Sequence, residues 1–359
     1  MIKFFGIDFD PDEREASVRK KIRYIHSSSL QGDRGYSDPY DAITSQLECN
    51  DSTRRCIQKL GKIPVEHWLT SKPKIADLVS VENYVFFIDS DGCREYATKV
   101  RDFVDDKILP DMPVMIGVDH SSSSGSIEAL SKEIGAENLS WIILDSHFDA
   151  ILTEVRCGLV QYDLETNPES VFKRGDPYIW GRPNSLNADS FVDYLVKNRN
   201  VYPENLFVIG VSDHPPRVAQ GIKDERVQRF VDSYLDFQKK GSSIVTKESI
   251  NSKGVNSSIA PALIRIKTPY VYVSLDIDVG AVSAHNGSRY LDVKGLNEEQ
   301  ILLLARLLKQ NLNQRGKKLA GLDIMETDVH GAGRVSIDGK KDRTYEIEME
   351  FLRVLLPEP

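Results

Sequence analysis

The chain has 359 residues, 40% of them hydrophobic and 28% charged, which is ordinary for a soluble globular protein that buries a sizeable core. Its formal net charge of −8 argues against a nucleic-acid or anionic-membrane binder, because such binding relies on clustered Lys and Arg. The longest apolar runs are only long enough for strands, so we expect no transmembrane segment. The amino terminus lacks a secretory signal, and a cytoplasmic location follows as the expectation.

Short runs rich in β-branched and aromatic residues alternate with longer amphipathic stretches, a pattern that predicts βαβ units around a mostly parallel sheet. The predicted strands are 3–9, 84–88, 114–118, 141–144, 206–211, 271–275 and 319–324. The predicted helices are 16–25, 94–109, 126–134, 190–196, 224–240 and one that begins after an N-cap at Asn297 and ends near Gly316. Polar segments at 27–52, 166–188 and 241–258 predict long loops or insertions, and the absence of a linker predicts one domain over 1–359.

Three predicted strands are followed directly by residues of the types that bind metals. The segments are Gly117-Val-Asp-His120-Ser, Leu144-Asp145-Ser-His147-Phe-Asp149 and Ser274-Leu-Asp276-Ile-Asp278. Residues two apart in an extended segment point to the same side, and ligands of parallel sheets bind beyond the carboxyl ends of the strands. Two imidazoles and four carboxylates exceed what one ion usually takes, so the set suits two divalent ions that share bridging oxygens, with manganese as the best fit.

Each segment taken alone is weak evidence, because Asp often ends a strand as a cap or turn former and a lone His is more often structural. Asp89 and Asp91 illustrate this, since they follow an apolar run at the same spacing and yet precede a Gly that predicts a plain turn. The ordered recurrence at three strand ends is what favours a metal site. Asp119 and Ser121 flank His120 and are candidates for groups that orient the ligands.

These segments resemble the signature motifs of the ureohydrolase family, which includes arginase, agmatinase and formiminoglutamase: Gly-Gly-Asp-His-Ser, Asp-Ala-His-x-Asp and Ser-x-Asp-x-Asp. A weaker likeness covers most of the chain. The resemblance implies an arginase-like three-layer αβα sandwich with two Mn²⁺ ions per subunit. It also assigns the ligands: His120 and Asp149 for the first ion, His147 and Asp278 for the second, and Asp145 and Asp276 as bridges.

The resemblance further implies hydrolysis of a C–N bond in a small guanidino, amidino or formimino substrate, with a metal-bridging hydroxide as the nucleophile. Glu326, in Gly321-Leu-Asp-Ile-Met-Glu326, is similar to the family glutamate that faces the guanidinium group, and a carboxylate suits a planar cation. The alternative for Glu326 is a surface or helix-terminal carboxylate. The family also commonly forms homo-oligomers of three or six subunits.

The sequence departs from the family pattern near the substrate. After Asp278 the usual Asp-Pro and Gly-Thr-Gly run is replaced by Val279-Gly-Ala-Val-Ser-Ala-His285-Asn-Gly-Ser-Arg-Tyr. The family's His-Gly-x-Pro segment, whose histidine serves in proton transfer, corresponds here to Trp180-Gly-Arg-Pro. His285 is a candidate to replace that histidine as a catalytic residue, and a solvent-exposed loop histidine is the alternative.

Two other functions compete with this interpretation. Histone-deacetylase-like amidohydrolases share the general fold with an Asp-x-His site, but they imply one catalytic metal and a tandem His-His pair, and the sequence contains no His-His dipeptide. A non-catalytic relative that keeps its metals as a structural staple is the other alternative, supported by the missing Asp-Pro and by Trp180.

Overall fold

An eight-stranded parallel sheet forms the centre of the protein in the computed structural model, which describes residues 1–31, 36, 38–47 and 57–357. The strands are β1 Ile2–Ile7, β2 Ile57–Lys62, β3 Met112–Gly117, β4 Leu139–Leu144, β5 Leu206–Val211, β6 Ser243–Thr246, β7 Tyr270–Asp276 and β8 Lys318–Met325. They lie in the order β2-β1-β3-β8-β7-β4-β5-β6, and every neighbouring pair is parallel. The prediction of a mostly parallel sheet is therefore confirmed.

Helices cover both faces of the sheet. They are α1 Glu15–Gln31, α2 Pro39–Leu47, α3 Val81–Asp89, α4 Gly92–Lys107, α5 Ser123–Ile134, α6 Thr153–Thr166, α7 Phe191–Lys197, α8 Glu225–Lys239, α9 Lys247–Lys253, α10 Val255–Arg265, α11 Glu298–Gln314 and α12 Thr344–Leu355. Ile142 of β4 packs into a core with α2 and α9 to α12, while its neighbours Trp141 and Ile143 pack into a second core with α1 and α3 to α8. This alternation along the strands produces the predicted three-layer αβα sandwich.

Helix α11 illustrates how local sequence sets an element. The Asn297 side chain accepts the main-chain N–H of Gln300, and the Gln300 side chain accepts the N–H of Asn297, which forms a capping box. Such caps contribute about 1 kcal/mol. Ile301, Leu304 and Leu308 then recur at three- and four-residue spacing and are buried against the sheet.

One predicted strand is wrong, because residues 84–88 lie in helix α3. The Ser80 side chain accepts the N–H of Asn83 and begins the helix, and Tyr84, Val85 and Ile88 form its buried face. In so short an apolar run, strand and helix periodicity are indistinguishable, and the N-cap was the missed signal.

Several elements were not predicted at all. The edge strands β2 and β6 are partly exposed, so neither has the apolar run of a central strand, and α2, α3, α6, α9, α10 and α12 were also missed. Residues 241–258, expected as a loop, contain β6, α9 and the start of α10. The described part of 27–52 contains the end of α1 and all of α2, and the rest lies outside the described residues.

The segment 166–188 matches its prediction more closely, with one short 3-10 turn at Pro177–Ile179 after α6 ends. Within the described ranges, no helix is long and apolar enough to cross a lipid bilayer. The four central strands, β3, β8, β7 and β4, are adjacent in the sheet, so their carboxyl ends open onto one shared edge.

Candidate metal centre

The four central strands deliver the predicted site residues to that shared edge. Asp276 ends β7, Asp145 directly follows β4, and Glu326 directly follows β8. His120 lies three residues beyond β3, in a short turn before α5. Because the strands are parallel and adjacent, residues separated by up to 206 positions in the chain become neighbours.

His120 lies at the centre of one group of ligand atoms. Its Nδ1 is 3.1 Å from a carboxylate oxygen of each of three residues, Asp145, Asp149 and Asp276. All four side chains are buried, and their ligand atoms lie within 4.8 Å of one another. This geometry can hold one divalent ion.

A second group forms beside the first around His147. The Nδ1 of His147 is 2.8 Å from Asp278 Oδ2 and 3.7 Å from Asp145 Oδ1. Asp145 belongs to both groups, while Asp276 belongs only to the first. The structure therefore brings all six predicted ligands together as two adjacent groups with a shared carboxylate. His147 is the most accessible of the six, with 26% of its side chain exposed.

The unsatisfied atoms of the cluster fit a metal. Among the described residues, His120 Nδ1, Asp145 Oδ2 and Asp278 Oδ2 are buried and have no hydrogen-bond partner of acceptable geometry. Unpaired buried polar atoms are costly, so such a set fits the binding of a cation. The dense carboxylate oxygens with two imidazoles match the preferences of divalent first-row ions.

The electrostatics of the cluster lead to the same conclusion. Burial raises the pKa of Asp276 well above its ordinary value, and the neighbouring charges of Asp278 and Asp145 add to the rise. Burial opposes the charging of His120, yet the three carboxylates that lie 3.1 Å from its Nδ1 outweigh it and raise the pKa of His120. Bound divalent cations would offset this crowding of buried negative charges and displace protons from the carboxylates.

A buried network holds the other side of His120. The Nε2 of His120 lies 2.9 Å from the hydroxyl of Ser274, which in turn donates to the fully buried carboxylate of Asp323. The hydroxyl of Tyr272 donates to the same carboxylate at 2.8 Å. This chain of hydrogen bonds fixes the imidazole orientation with Nδ1 facing the ligand group.

Asp119 and Ser121 stabilise the turn that carries His120. The Asp119 carboxylate accepts the N–H of Ser121 at 3.1 Å and also its hydroxyl. Arg289 Nη1 lies 3.3 Å from the other oxygen of Asp119. Both residues belong to the turn that carries His120, and their role in orienting that ligand stays a prediction.

Glu326 lies beside the first ligand group. It is 2% exposed, adopts a left-handed backbone with φ 64°, and its Oε1 accepts the main-chain N–H of His120 at 3.2 Å. Burial raises the pKa of Glu326 to about 8 even though Arg289 opposes the rise. The alternative of a surface carboxylate is wrong, because the side chain is enclosed.

His285 and Trp180 lie outside both ligand groups. His285 is 2% exposed and packs so closely on Gly280 that a β-carbon there would collide with its Nε2. The alternative of a solvent-exposed loop histidine is therefore wrong, and the catalytic role of His285 stays a prediction. Trp180 is 45% exposed in the 166–188 segment.

Sequence reasoning missed three residues that shape the site. Ser274 was quoted within its motif but received no role, and Asp323 stands in the same segment as Glu326. Arg289 is the only charged residue between Val279 and Tyr290, and a lone charge in a loop of small and polar residues was the available signal.

Comparison with known proteins identifies the family. The arginase family model matches residues 39–330. An arginase from Staphylococcus aureus (strain MRSA252) is 31% identical over 221 residues, and the match spans 60% of this chain and 60% of that protein. The crystal structure of arginase from Bacillus cereus has a TM-score of 0.59 at 15% identity, covering 100% of this chain and 99% of that one. Formimidoylglutamase from Bacillus subtilis has a TM-score of 0.56 at 16% identity, covering 99% and 85%. The family match extends over most of the chain, and the protein therefore belongs to the arginase family.

Proposed function

We propose that this protein is a binuclear manganese-dependent hydrolase of a C–N bond in a small guanidino, amidino or formimino substrate. The observation that carries the proposal is the convergence of six ligand residues into two adjacent groups that share Asp145. Two ions close together, with a common carboxylate, are the arrangement used to activate water for hydrolysis.

The ligand assignment follows the two groups. His120 and Asp149 would hold the first ion and His147 and Asp278 the second, with Asp145 between them. Asp276, predicted as a second bridge, lies in the first group, and a bridging role for it is part of the proposal. When bound, the metals lower the pKa of water and polarise the electron-poor amidino carbon for attack.

Residues around the two ligand groups orient the ligands and place charge beside the substrate. Ser274 and Asp323 fix the imidazole of His120 from behind, and Glu326 places a carboxylate beside the ligand group where positive charge on the substrate would lie. The exposed part of His147 marks the side from which a substrate reaches the buried cluster. His285, in the loop after Asp278, stays a candidate for proton transfer.

The cellular location, partners and oligomeric state of the enzyme are part of the same proposal. We expect a cytoplasmic protein that acts on a small molecule, without nucleic acid or membrane partners, and that assembles into a trimer or hexamer. The solved relatives named above include an arginase and a formimidoylglutamase, and the chain departs from the family pattern in the loop after Asp278. The proposal therefore extends to the reaction class and leaves arginine, agmatine, formiminoglutamate and guanidino acids as candidate substrates.

The test is hydrolysis by protein loaded with manganese. Release of urea, ammonia or formamide is measured across a panel of guanidino and formimino compounds, with and without a chelator. Asp278→Asn is expected to lose at least a hundredfold in rate, because it removes a ligand of the second group. Asp89→Asn is the matched control, since Asp89 bonds Arg182 and belongs to neither group.

Two results would contradict the proposal. Hydrolysis that survives both chelation and Asp278→Asn would place the chemistry elsewhere. Full metal occupancy without hydrolysis of any compound in the panel would favour the non-catalytic relative, in which the ions serve only as a structural staple.

A further inference from the structure

A buried lysine lies directly behind the second ligand group. Lys247 is the first residue of helix α9, and its side chain is 5% exposed. Its ion pair with Asp292 is long, at 3.9 Å, and the Asp292 side chain is 46% exposed. Lys side chains are almost never fully buried unless their charge is paired, so hydrogen bonds must offset the burial of this one.

The three N–H groups of the Lys247 side chain have oxygen partners in three different segments. Nζ donates to the hydroxyl of Ser146, to the main-chain carbonyl of Asp278 at 3.5 Å and to that of Lys294 at 3.4 Å. An ammonium group has three donors and no acceptor, so this set uses its full donor capacity. Lys247 thus joins α9 to the turns after β4 and β7 and to the loop that precedes α11.

Ser146 connects Lys247 to the ligand Asp278. The Ser146 hydroxyl accepts from Lys247 and donates to the Asp278 carbonyl at 2.6 Å, and the Ser146 main-chain N–H donates to Asp278 Oδ1 at 3.0 Å. The other oxygen, Asp278 Oδ2, lies 2.8 Å from His147 Nδ1 in the second ligand group. Ser146 therefore holds both the backbone and the carboxylate of Asp278, and Lys247 holds the hydroxyl of Ser146.

These contacts concern the second ligand group. A separate hydrogen bond from Ser274 orients His120 of the first group. The contacts of Lys247 and Ser146 lead instead to Asp278, which belongs to the second group and not to the first. A change at Lys247 should therefore affect the two ions unequally, whereas a general loss of stability would affect both.

We propose that Lys247 is a positioning residue of the second metal site, which acts through Ser146 to hold Asp278 Oδ2 towards the ion. The inference rests on the proposed binuclear site. Two effects of the lysine on metal affinity have opposite signs, because a fixed positive charge repels a divalent cation whereas an oriented ligand favours it. Loss of the lysine weakens binding where positioning dominates and strengthens binding where charge dominates, so the sign of the change distinguishes the two.

The experiment titrates manganese into metal-free protein by calorimetry and determines a dissociation constant for each ion. Asp278→Asn identifies the constant of the second group, because Asp278 is a ligand of that group alone. Lys247→Met should weaken binding at the second group by about 10- to 100-fold, the usual effect of removing a group that orients a ligand, and leave the first nearly unchanged. Lys309→Met is the matched control, since Lys309 also donates to main-chain carbonyls, at the end of α12, and should leave both constants unchanged.

Two further variants test the route through Ser146. Ser146→Ala removes the hydroxyl that links Lys247 to Asp278, so it should weaken binding at the second group by a similar factor. Adding Lys247→Met to Ser146→Ala should then cost no further affinity, because the effects of residues in one hydrogen-bond network do not add.

The outcomes separate this inference from the proposed function. An unchanged or tighter second constant in folded Lys247→Met, or an equal weakening of both constants, would overturn the inference alone. If Lys247→Met does not fold, Ser146→Ala decides, since an unchanged second constant in that variant would also overturn it. Failure of the unmodified protein to bind manganese would overturn the inference together with the proposed function. Two bound ions without hydrolysis of any candidate substrate, with the second constant weakened in Lys247→Met, would overturn the proposed function and support the inference.

Discussion

Manganese is expected to stabilise the folded protein, because its ligands are unsatisfied without it. Four buried carboxylates and two imidazoles converge on two adjacent groups, and the unfolded chain has no such arrangement. An ion that binds only the folded state stabilises it by about 2.7 kcal/mol when its concentration is one hundred times its dissociation constant, so two sites contribute roughly 5 kcal/mol.

The expected shift in melting temperature follows from chain length. With an unfolding entropy of about 2.1 cal/mol/K per residue, the 359 residues give roughly 0.75 kcal/mol/K, and the two sites together raise the melting temperature by roughly 7 °C. The assay is thermal unfolding by calorimetry, with chelator or with a hundredfold excess of manganese over the dissociation constant. Asp276→Asn, which alters the first group, should lose about half of the shift or more.

Asp89→Asn is the control for general effects of losing a carboxylate. Asp89 shares the Asp-x-Asp pattern, but its oxygens accept hydrogen bonds from Arg182, so this variant should keep the full manganese shift even if its overall stability falls. An equal shift in the unmodified protein and in Asp276→Asn would refute the reasoning. A melting temperature of the unmodified protein that does not change with manganese would also contradict the prediction.

Three further predictions concern single residues. Ser274→Ala removes the hydroxyl 2.9 Å from His120 Nε2 and should weaken manganese affinity by about 10- to 100-fold in a competitive titration, while an unchanged affinity would show that the hydroxyl does not orient the ring. Burial raises the pKa of Glu348 to about 8, so the free energy of unfolding falls as pH rises from its unfolded pKa towards 8. Glu348→Gln should therefore equal the parent near pH 4 and exceed its stability by up to about 5 kcal/mol at pH 9 in denaturant unfolding. A β-carbon on Gly125 would collide with a carbonyl oxygen of α4, so Gly125→Ala should cost about 1–3 kcal/mol, whereas Gly175→Ala, which meets nothing, should cost little. Equal stability of the two glycine variants would contradict the close approach of α4 and α5.

The central strands could be predicted because both of their faces are buried, which requires apolar residues at almost every position. β3, β4, β5, β7 and β8 are buried between two helical layers, so they appear in the sequence as continuous apolar runs, and β1 appeared in the same way. The edge strands β2 and β6 have one side open to solvent, and half-exposed strands of four to six residues carry little signal. Helix α3 was predicted as a strand because its five-residue apolar run fits both the helical and the strand periodicity.

The candidate ligands could be found because each segment follows a strand end, where topology brings distant residues together. Their assignment to two ions came from the family resemblance alone, and the presence of Asp276 in only the first group could not be predicted, since it depends on how the carboxylates turn towards each imidazole. The contact between Arg289 and Glu326 was equally inaccessible, because the two residues are 37 positions apart and Arg289 itself lies in a loop without a periodic pattern. Such contacts depend on the conformation of loops, which a single sequence predicts less well than helices and strands.

Metal content per chain, in protein purified with manganese, tests the central claim most directly. The unmodified protein is compared with Asp276→Ala, which removes one carboxylate of the first ligand group. A binuclear site predicts about two ions per chain in the unmodified protein and a sharp fall in the variant. Absence of bound metal from both proteins would contradict the binuclear site and leave only the family fold.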